Sequence, residues 1–209
     1  MRSKVNLLAI VGSQRRNGNS SSLAKAVLDS ADVDYEKVQL ADNKIAFCNL
    51  CEKCISDDCV LEDDFNGILK KMESADGIVF VLPKYLFVAS KFLCFLERLD
   101  TIDHMRKHVG YERTFQNPDY KLFTEKPFCI FVTSGTGKVE TQILEIVVDY
   151  IEGLGLRLIR YDKPPFLGVS VKAGDRKGEV LGNKQGIEEC RKLLEKLVDS
   201  IKNQRHALG

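Results

Sequence analysis

The stretch Val5-Asn6-Leu7-Leu8-Ala9-Ile10-Val11 passes directly into Gly12-Ser13-Gln14-Arg15-Arg16-Asn17-Gly18-Asn19-Ser20-Ser21-Ser22, and this junction decides the fold. The first half is an apolar run broken only by Asn6, as expected of a strand buried on both faces. The second half is rich in Gly, Ser and Asn, residues that suit a tight loop. A helix over 19–31 follows, opened by Asn and Ser capping residues.

The same alternation continues along the chain. Strands are expected over 35–40, 77–82, 128–133 and 156–161. Helices are expected over 63–74, 88–101, 138–152 and 185–202, with Ile68, Leu69 and Met72 on the inner face of the first of these. A β-α alternation implies a parallel sheet with helices on both faces. Five strands suit the order 2-1-3-4-5, giving an α/β, flavodoxin-like three-layer sandwich. Residues 103–126 are polar, basic and aromatic, and residues 163–184 hold two prolines and four glycines. Both stretches exceed ordinary connections and are expected to be functional lids or oligomer contacts. No repeat or linker interrupts the pattern, so residues 1–209 read as a single domain.

Composition narrows the function. The 209 residues carry a formal net charge of +1, which supplies no uncompensated field for nucleic acid or a membrane surface. No apolar run approaches the roughly 20 residues that cross a bilayer. The basic start before Val5 superficially resembles a signal peptide. Its apolar part is short, and no small-x-small cleavage site follows. The expected location is the cytoplasm. Seven cysteines, four of them crowded between residues 48 and 59, do not form a secreted disulfide framework.

The loop after the first strand reads as a phosphate site. Ligands of open α/β sheets bind beyond the carboxyl ends of the strands. A helix N-terminus there offers free N–H groups and the positive end of a dipole. Gly12 and Gly18 let the backbone wrap closely, and Ser13, Asn19, Ser20 and Ser21 can donate hydrogen bonds. Arg15 or Arg16 can supply charge. The loop matches neither the nucleoside triphosphatase pattern nor the dinucleotide pattern G-x-G-x-x-G.

Cys48, Cys51, Cys54 and Cys59 form a C-x2-C-x2-C-x4-C run. Three thiolates at two-residue gaps can wrap one face of a cubane, and the longer gap brings in a fourth. With no second cysteine set, one [4Fe–4S] cluster is the natural count. Structural zinc takes four thiolates too, but usually as two separated C-x2-C pairs. Disulfides or free thiols are the third alternative.

The pattern G-S-x-R-x-x-G-N-S resembles the phosphate loop of the NADPH-dependent FMN reductase family within the flavodoxin superfold. Two more segments fit that resemblance over about residues 4–160. Pro83-Lys84-Tyr85-Leu86-Phe87, after the third strand, resembles the family's flavin-bordering P-x-Y segment. It leads to Phe95-Leu96-Glu97-Arg98, where Glu97 replaces the usual Asp. Lys84 also departs from the small or apolar residue common at its place. Ser134-Gly135-Thr136-Gly137, after the fourth strand, resembles the third flavin loop. The cysteine run is similar to that of the iron–sulfur flavoproteins within the family.

The resemblance implies FMN held by Ser13, Arg15, Gly18, Asn19, Ser20 and Ser21 at its phosphate. Residues 83–87 and 134–137 would flank the ring. It implies a [4Fe–4S] cluster on the four cysteines, a homodimer or homotetramer, and a one-electron donor such as ferredoxin. FMN exchanges two electrons or one, so a cluster would couple one-electron donors to two-electron chemistry. Two alternatives stay open: an NAD(P)H-dependent FMN or quinone reductase without a cluster, and a flavin-bearing redox-sensing or binding module. No general acid or base is assigned. Cys94, Cys129 and Cys190 fall in apolar surroundings and read as packing residues. His104 and His108 share a helical face but lack the Glu of a zinc protease motif.

Overall fold

The computed structural model describes residues 4–55, 58–85, 87–108, 117–136 and 141–207. The strands are β1 (Asn6–Val11), β2 (Asp34–Gln39), β3 (Gly77–Pro83), β4 (Lys126–Ser134), β5 (Leu156–Leu158) and β6 (Val169–Lys172). The helices are α1 (Asn19–Leu28), α2 (Phe65–Ser74), α3 (Ser90–Lys107), α4 (Thr141–Gly153) and α5 (Lys184–Ala207). The sheet is parallel, in the order β2-β1-β3-β4-β5, with β6 also paired to β4. This is the flavodoxin-like order expected from the alternation.

Strand residues alternate between two cores, which is why the central strands read as unbroken apolar runs. Leu8, Ile10, Phe80, Phe128 and Ile130 face α2, α3 and α4. Leu7, Ala9, Val79, Val81 and Phe131 face α1 and α5. Cys129 and Cys190 are buried in this second core, and Cys94 is buried on α3.

Several boundaries differ from the sequence reading, and three of these differences have a clear physical cause. The helix expected over 88–101 runs on to Lys107, so the expected loop at 103–126 starts inside α3. Its last turns are held by Asp103, which is buried, pairs with Lys107 and accepts the Leu122 N–H at 2.9 Å. The strand expected over 156–161 stops at Leu158. Beyond Ile159, whose N–H still bonds to the Phe128 carbonyl at 2.8 Å, the chain leaves the sheet, and Pro164 and Pro165 have no N–H to resume a ladder. The chain then returns as β6, which pairs with Phe131–Ser134 of β4. The stretch 163–184 therefore contains a sixth strand and a short 3-10 turn at Glu179–Gly182.

The α4–β5 turn needs glycine at 155. Its φ is +91°, and an added Cβ would stand 1.8 Å from the Phe123 carbonyl oxygen. At the same end of the sheet Lys126, paired with Leu156, closes α2. Its Nζ donates to the carbonyls of Met72 (2.7 Å), Glu73 (2.7 Å) and Ala75 (2.5 Å). These are the groups a helix leaves without partners at its C-terminus. Lys126→Met should therefore destabilise the fold by about 1–3 kcal/mol in urea denaturation, the cost of stranding half-buried acceptors. An unchanged midpoint would mean that water replaces the ammonium freely.

Candidate functional site

The carboxyl ends of β1, β3, β4 and β6 converge on one cleft of about 130 Å³. The loop after β1 forms its floor. Gly12 N–H bonds to the Val81 carbonyl at 3.0 Å, and a Cβ on Gly12 would meet Leu82 at 2.9 Å. The loop then turns through Asn17, whose φ is +52°, into Gly18, the residue before α1. The first intrahelical bond runs from Ser22 N–H to the Gly18 carbonyl at 3.0 Å. The N–H groups of Asn19, Ser20 and Ser21 precede it and have no intrahelical acceptor.

Ser13, Arg15, Asn19 and Ser20 line the cleft. Ser13 Oγ accepts the Arg15 N–H at 3.2 Å, and Gln39 Nε2 donates to the Ser13 carbonyl. Ser20 Oγ and Thr133 Oγ1 are 2.8 Å apart and buried. Pro83, Lys84 and Tyr85 form one wall, and Tyr85 is 48% exposed. Lys84 N–H bonds to the Thr133 carbonyl at 2.8 Å, and Tyr85 N–H to the Phe87 carbonyl at 3.0 Å. Ser134 and Gly135 close the far side.

The third wall was not anticipated from sequence. Ala173, Gly174 and Asp175, just after β6, complete the cleft together with Thr133. Arg15 Nη1 donates to the Asp175 carbonyl at 2.9 Å, and Asn19 Nδ2 to the Gly174 carbonyl at 2.7 Å. Asn19 Oδ1 also accepts the Val180 N–H at 3.2 Å. Asn19 thus works as a strut between α1 and this segment. The alternation in Val169-Ser170-Val171-Lys172 ahead of a Gly was the available signal of a strand ending at the site.

Other expected site residues stand elsewhere. Ser21 is one position further round the helix, so its Oγ accepts from Lys37 Nζ at 2.8 Å on the β2 side. Thr136 borders a different cavity, of about 580 Å³, beside β6 and α5. Phe87 borders a groove of about 300 Å³ between α3 and α4. Gly18 shapes the turn without lining the cleft. Leu86 and Gly137 lie outside the described residues. A small polar cleft with a helix N-terminus, two cations and loop N–H groups suits a phosphate ester whose flat ring extends past Tyr85.

The four cysteines share one irregular loop between β2 and α2. Cys54 is buried, Cys48 and Cys59 half-buried, and Cys51 exposed, and all are free thiols. Among the described residues no three metal-ligating side chains close around one point. The loop nevertheless turns donors toward its sulfurs. Leu50 N–H reaches Cys48 Sγ at 3.4 Å, and Arg98 Nη2 reaches Cys59 Sγ at 3.1 Å. Burial pushes the Cys54 thiol up, and the nearby Cys59, Cys48 and Cys51 add to the rise. Four soft donors in one loop, with N–H groups aimed at two of the sulfurs, are a donor set that fits a thiolate-ligated cluster.

Both loops are fastened to the start of α3. Gln14 Nε2 donates to Ser90 Oγ at 2.6 Å, and Lys91 Nζ to the Asn43 carbonyl at 2.6 Å. Phe47, Leu50 and Val60 leave large apolar side chains exposed in the cysteine loop.

The family model described as NADPH-dependent FMN reductase matches residues 5–152, well over half of the chain. An iron–sulfur flavoprotein of Archaeoglobus fulgidus is 29% identical over 102 residues, covering 46% of this chain and 46% of that protein. One from Methanosarcina thermophila is 32% identical over 84 residues, covering 38% and 44%. The matched stretches thus span under half the length of these relatives. Among solved structures, RosB with bound 8-demethyl-8-formylriboflavin-5'-phosphate superposes with a TM-score of 0.69 at 16% identity, covering 97% of this chain and 81% of that one.

Proposed function

Because the chain belongs to the NADPH-dependent FMN reductase family, and so is an FMN-dependent oxidoreductase of flavodoxin-like fold, we propose that it works as an iron–sulfur flavoprotein. In this reading the cleft holds FMN, and Cys48, Cys51, Cys54 and Cys59 hold a [4Fe–4S] cluster. The observation that carries it is the cysteine loop itself. Its sulfurs already receive hydrogen bonds from Leu50 N–H and Arg98 Nη2. Bound FMN would supply chemistry in one- or two-electron steps, and the cluster would store single electrons.

The chain's own residues do the rest. The α1 N-terminus, Ser13 and Ser20 hold the phosphate end, with Arg15 adding charge. Pro83, Lys84 and Tyr85 orient the ring. The shared attachment of both loops to α3 favours a short electron path. Exposed Phe47, Leu50 and Val60 suit burial against a second copy in a homodimer or homotetramer. A ferredoxin would serve as one-electron donor, and NAD(P)H as a transient two-electron donor. The cytoplasm is the matching compartment for four reduced thiols, and among the described residues no helix is long and apolar enough to cross a membrane.

A second reading, an NAD(P)H-dependent FMN or quinone reductase without a cluster, draws on the open spacing of the cysteines. A redox-sensing flavin module draws on the exposed Cys51 thiol. Anaerobic purification with an absorption spectrum and assays for FMN, iron and sulfide separates these readings. The expected result is one FMN and about four irons per chain, with a broad absorption bleached by dithionite. FMN without iron after reconstitution would leave the reductase or the sensor, which steady NADPH oxidation tells apart. Absence of both would remove the phosphate-cleft reading too.

A further inference from the structure

Arg98 lies on α3 beside the cysteine loop and takes no part in the cleft. Its side chain is 1% exposed. Nη1 pairs with Asp63 Oδ2 at 2.5 Å, Nη2 donates to Cys59 Sγ at 3.1 Å, and the guanidinium lies 4.0 Å above the Phe65 ring. Asp63 also accepts the Ala46 N–H at 2.7 Å and the Phe65 N–H at 3.1 Å. Nη1 reaches the Ala46 carbonyl at 3.3 Å. The pair therefore ties residue 46 to residue 63, the two ends of the stretch that carries all four cysteines.

Arg98 Nε is buried and has no acceptor among the described residues. On a guanidinium, Nε–H and one Nη2–H leave along the same edge. The unmet donor thus shares an edge with the nitrogen that bonds Cys59. A buried donor of this kind is costly unless an acceptor arrives, and a sulfur-rich anion bound by the loop is such an acceptor.

We propose that Arg98 is a positioning residue for the cysteine-bound group. It clasps the loop through Asp63 and gives a charge-assisted hydrogen bond to the Cys59 sulfur, which favours the reduced form of a cluster held there. The inference rests on the reading that the four cysteines bind a cluster. The physical ground is general: cluster potentials follow net charge and hydrogen bonds to the sulfurs, and a fixed cation stabilises the added electron. Lysine keeps the charge but lacks the fork that serves Asp63 and Cys59 together.

The test compares wild type, Arg98→Lys and Arg98→Gln after anaerobic reconstitution. Iron, sulfide and FMN are assayed, and the cluster is titrated by electron paramagnetic resonance. Arg98→Lys should hold wild-type iron and FMN while its midpoint moves negative. At the wild-type midpoint its ratio of reduced to oxidised cluster should fall about tenfold, or about 59 mV for a one-electron couple. Arg98→Gln should shift further in the same direction, or shed iron while keeping FMN. Full loading of both variants with the wild-type midpoint would overturn the inference and leave the cluster standing. A wild type that binds FMN but takes up no iron would overturn the cluster reading, and the inference with it.

Discussion

Asp63→Asn should cost the protein about 3–5 kcal/mol in denaturant unfolding at neutral pH, a large share of the stability of a domain this size. Asp63 and Arg98 are each 1% exposed at the side chain. Removing one charge leaves the other buried without its counterion, and that stranded charge, more than the lost contact, sets the cost. Burial alone would raise the Asp63 pKa. The Arg98 hydrogen bond and the N–H groups of Ala46 and Phe65 outweigh it, and the net result is a lowered value.

The sign of the pH effect follows. A carboxylate lowered on folding adds stability that is complete above its unfolded pKa, about 3.9. That contribution is lost as pH falls through the folded value. The difference between wild type and Asp63→Asn should therefore be largest at neutral pH and shrink on acidification below about pH 4. A difference that stays constant down to pH 3 would mean that the Asp63 pKa is the same in the folded and unfolded protein. A neutral-pH cost below about 1 kcal/mol would place the pair among solvated surface bridges.

The ion pair also shows where sequence reading stops. The spacing of Cys48, Cys51, Cys54 and Cys59 is legible because ligand spacing is local. The clasp around them is not, because Asp63 and Arg98 stand 35 residues apart and meet only once α3 packs on the sheet. The central strands were legible because burial on both faces leaves a continuous apolar run. β5 was legible in its place but not in its length, and β6 was missed, since four residues carry too little period to separate from loop. In the cleft, the glycines, serines and asparagine of the first loop mark the turn into α1 that lines it. The wall at Ala173, Gly174 and Asp175 has no such mark, because Asn19 finds Gly174 across 155 residues of chain. Its place depends on β6 pairing with β4, a tertiary event with only a weak local trace.

Ser20→Asp should abolish tight FMN binding while leaving the fold intact. Ser20 is 1% exposed at the second position of α1, next to Thr133 Oγ1 and the free N–H groups that begin the helix. A carboxylate there is favoured by the helix dipole and accepts those N–H groups, so α1 tolerates it. A phosphate entering the same cradle then meets a like charge at close range. At about 4 Å and an effective dielectric near 20, one pair of charges repels by about 4 kcal/mol. Each 1.4 kcal/mol is about tenfold, so FMN affinity should fall by about 10²–10³-fold. Riboflavin, which has the ring but no phosphate, supplies the control. In fluorescence titrations of apoprotein, riboflavin should bind wild type and Ser20→Asp alike, while FMN loses its advantage over riboflavin. Equal losses for both would mean that the substitution damaged the ring site. Unchanged FMN affinity would move the phosphate away from α1, leaving Arg15 and Lys84 as the cations that hold it elsewhere in the cleft.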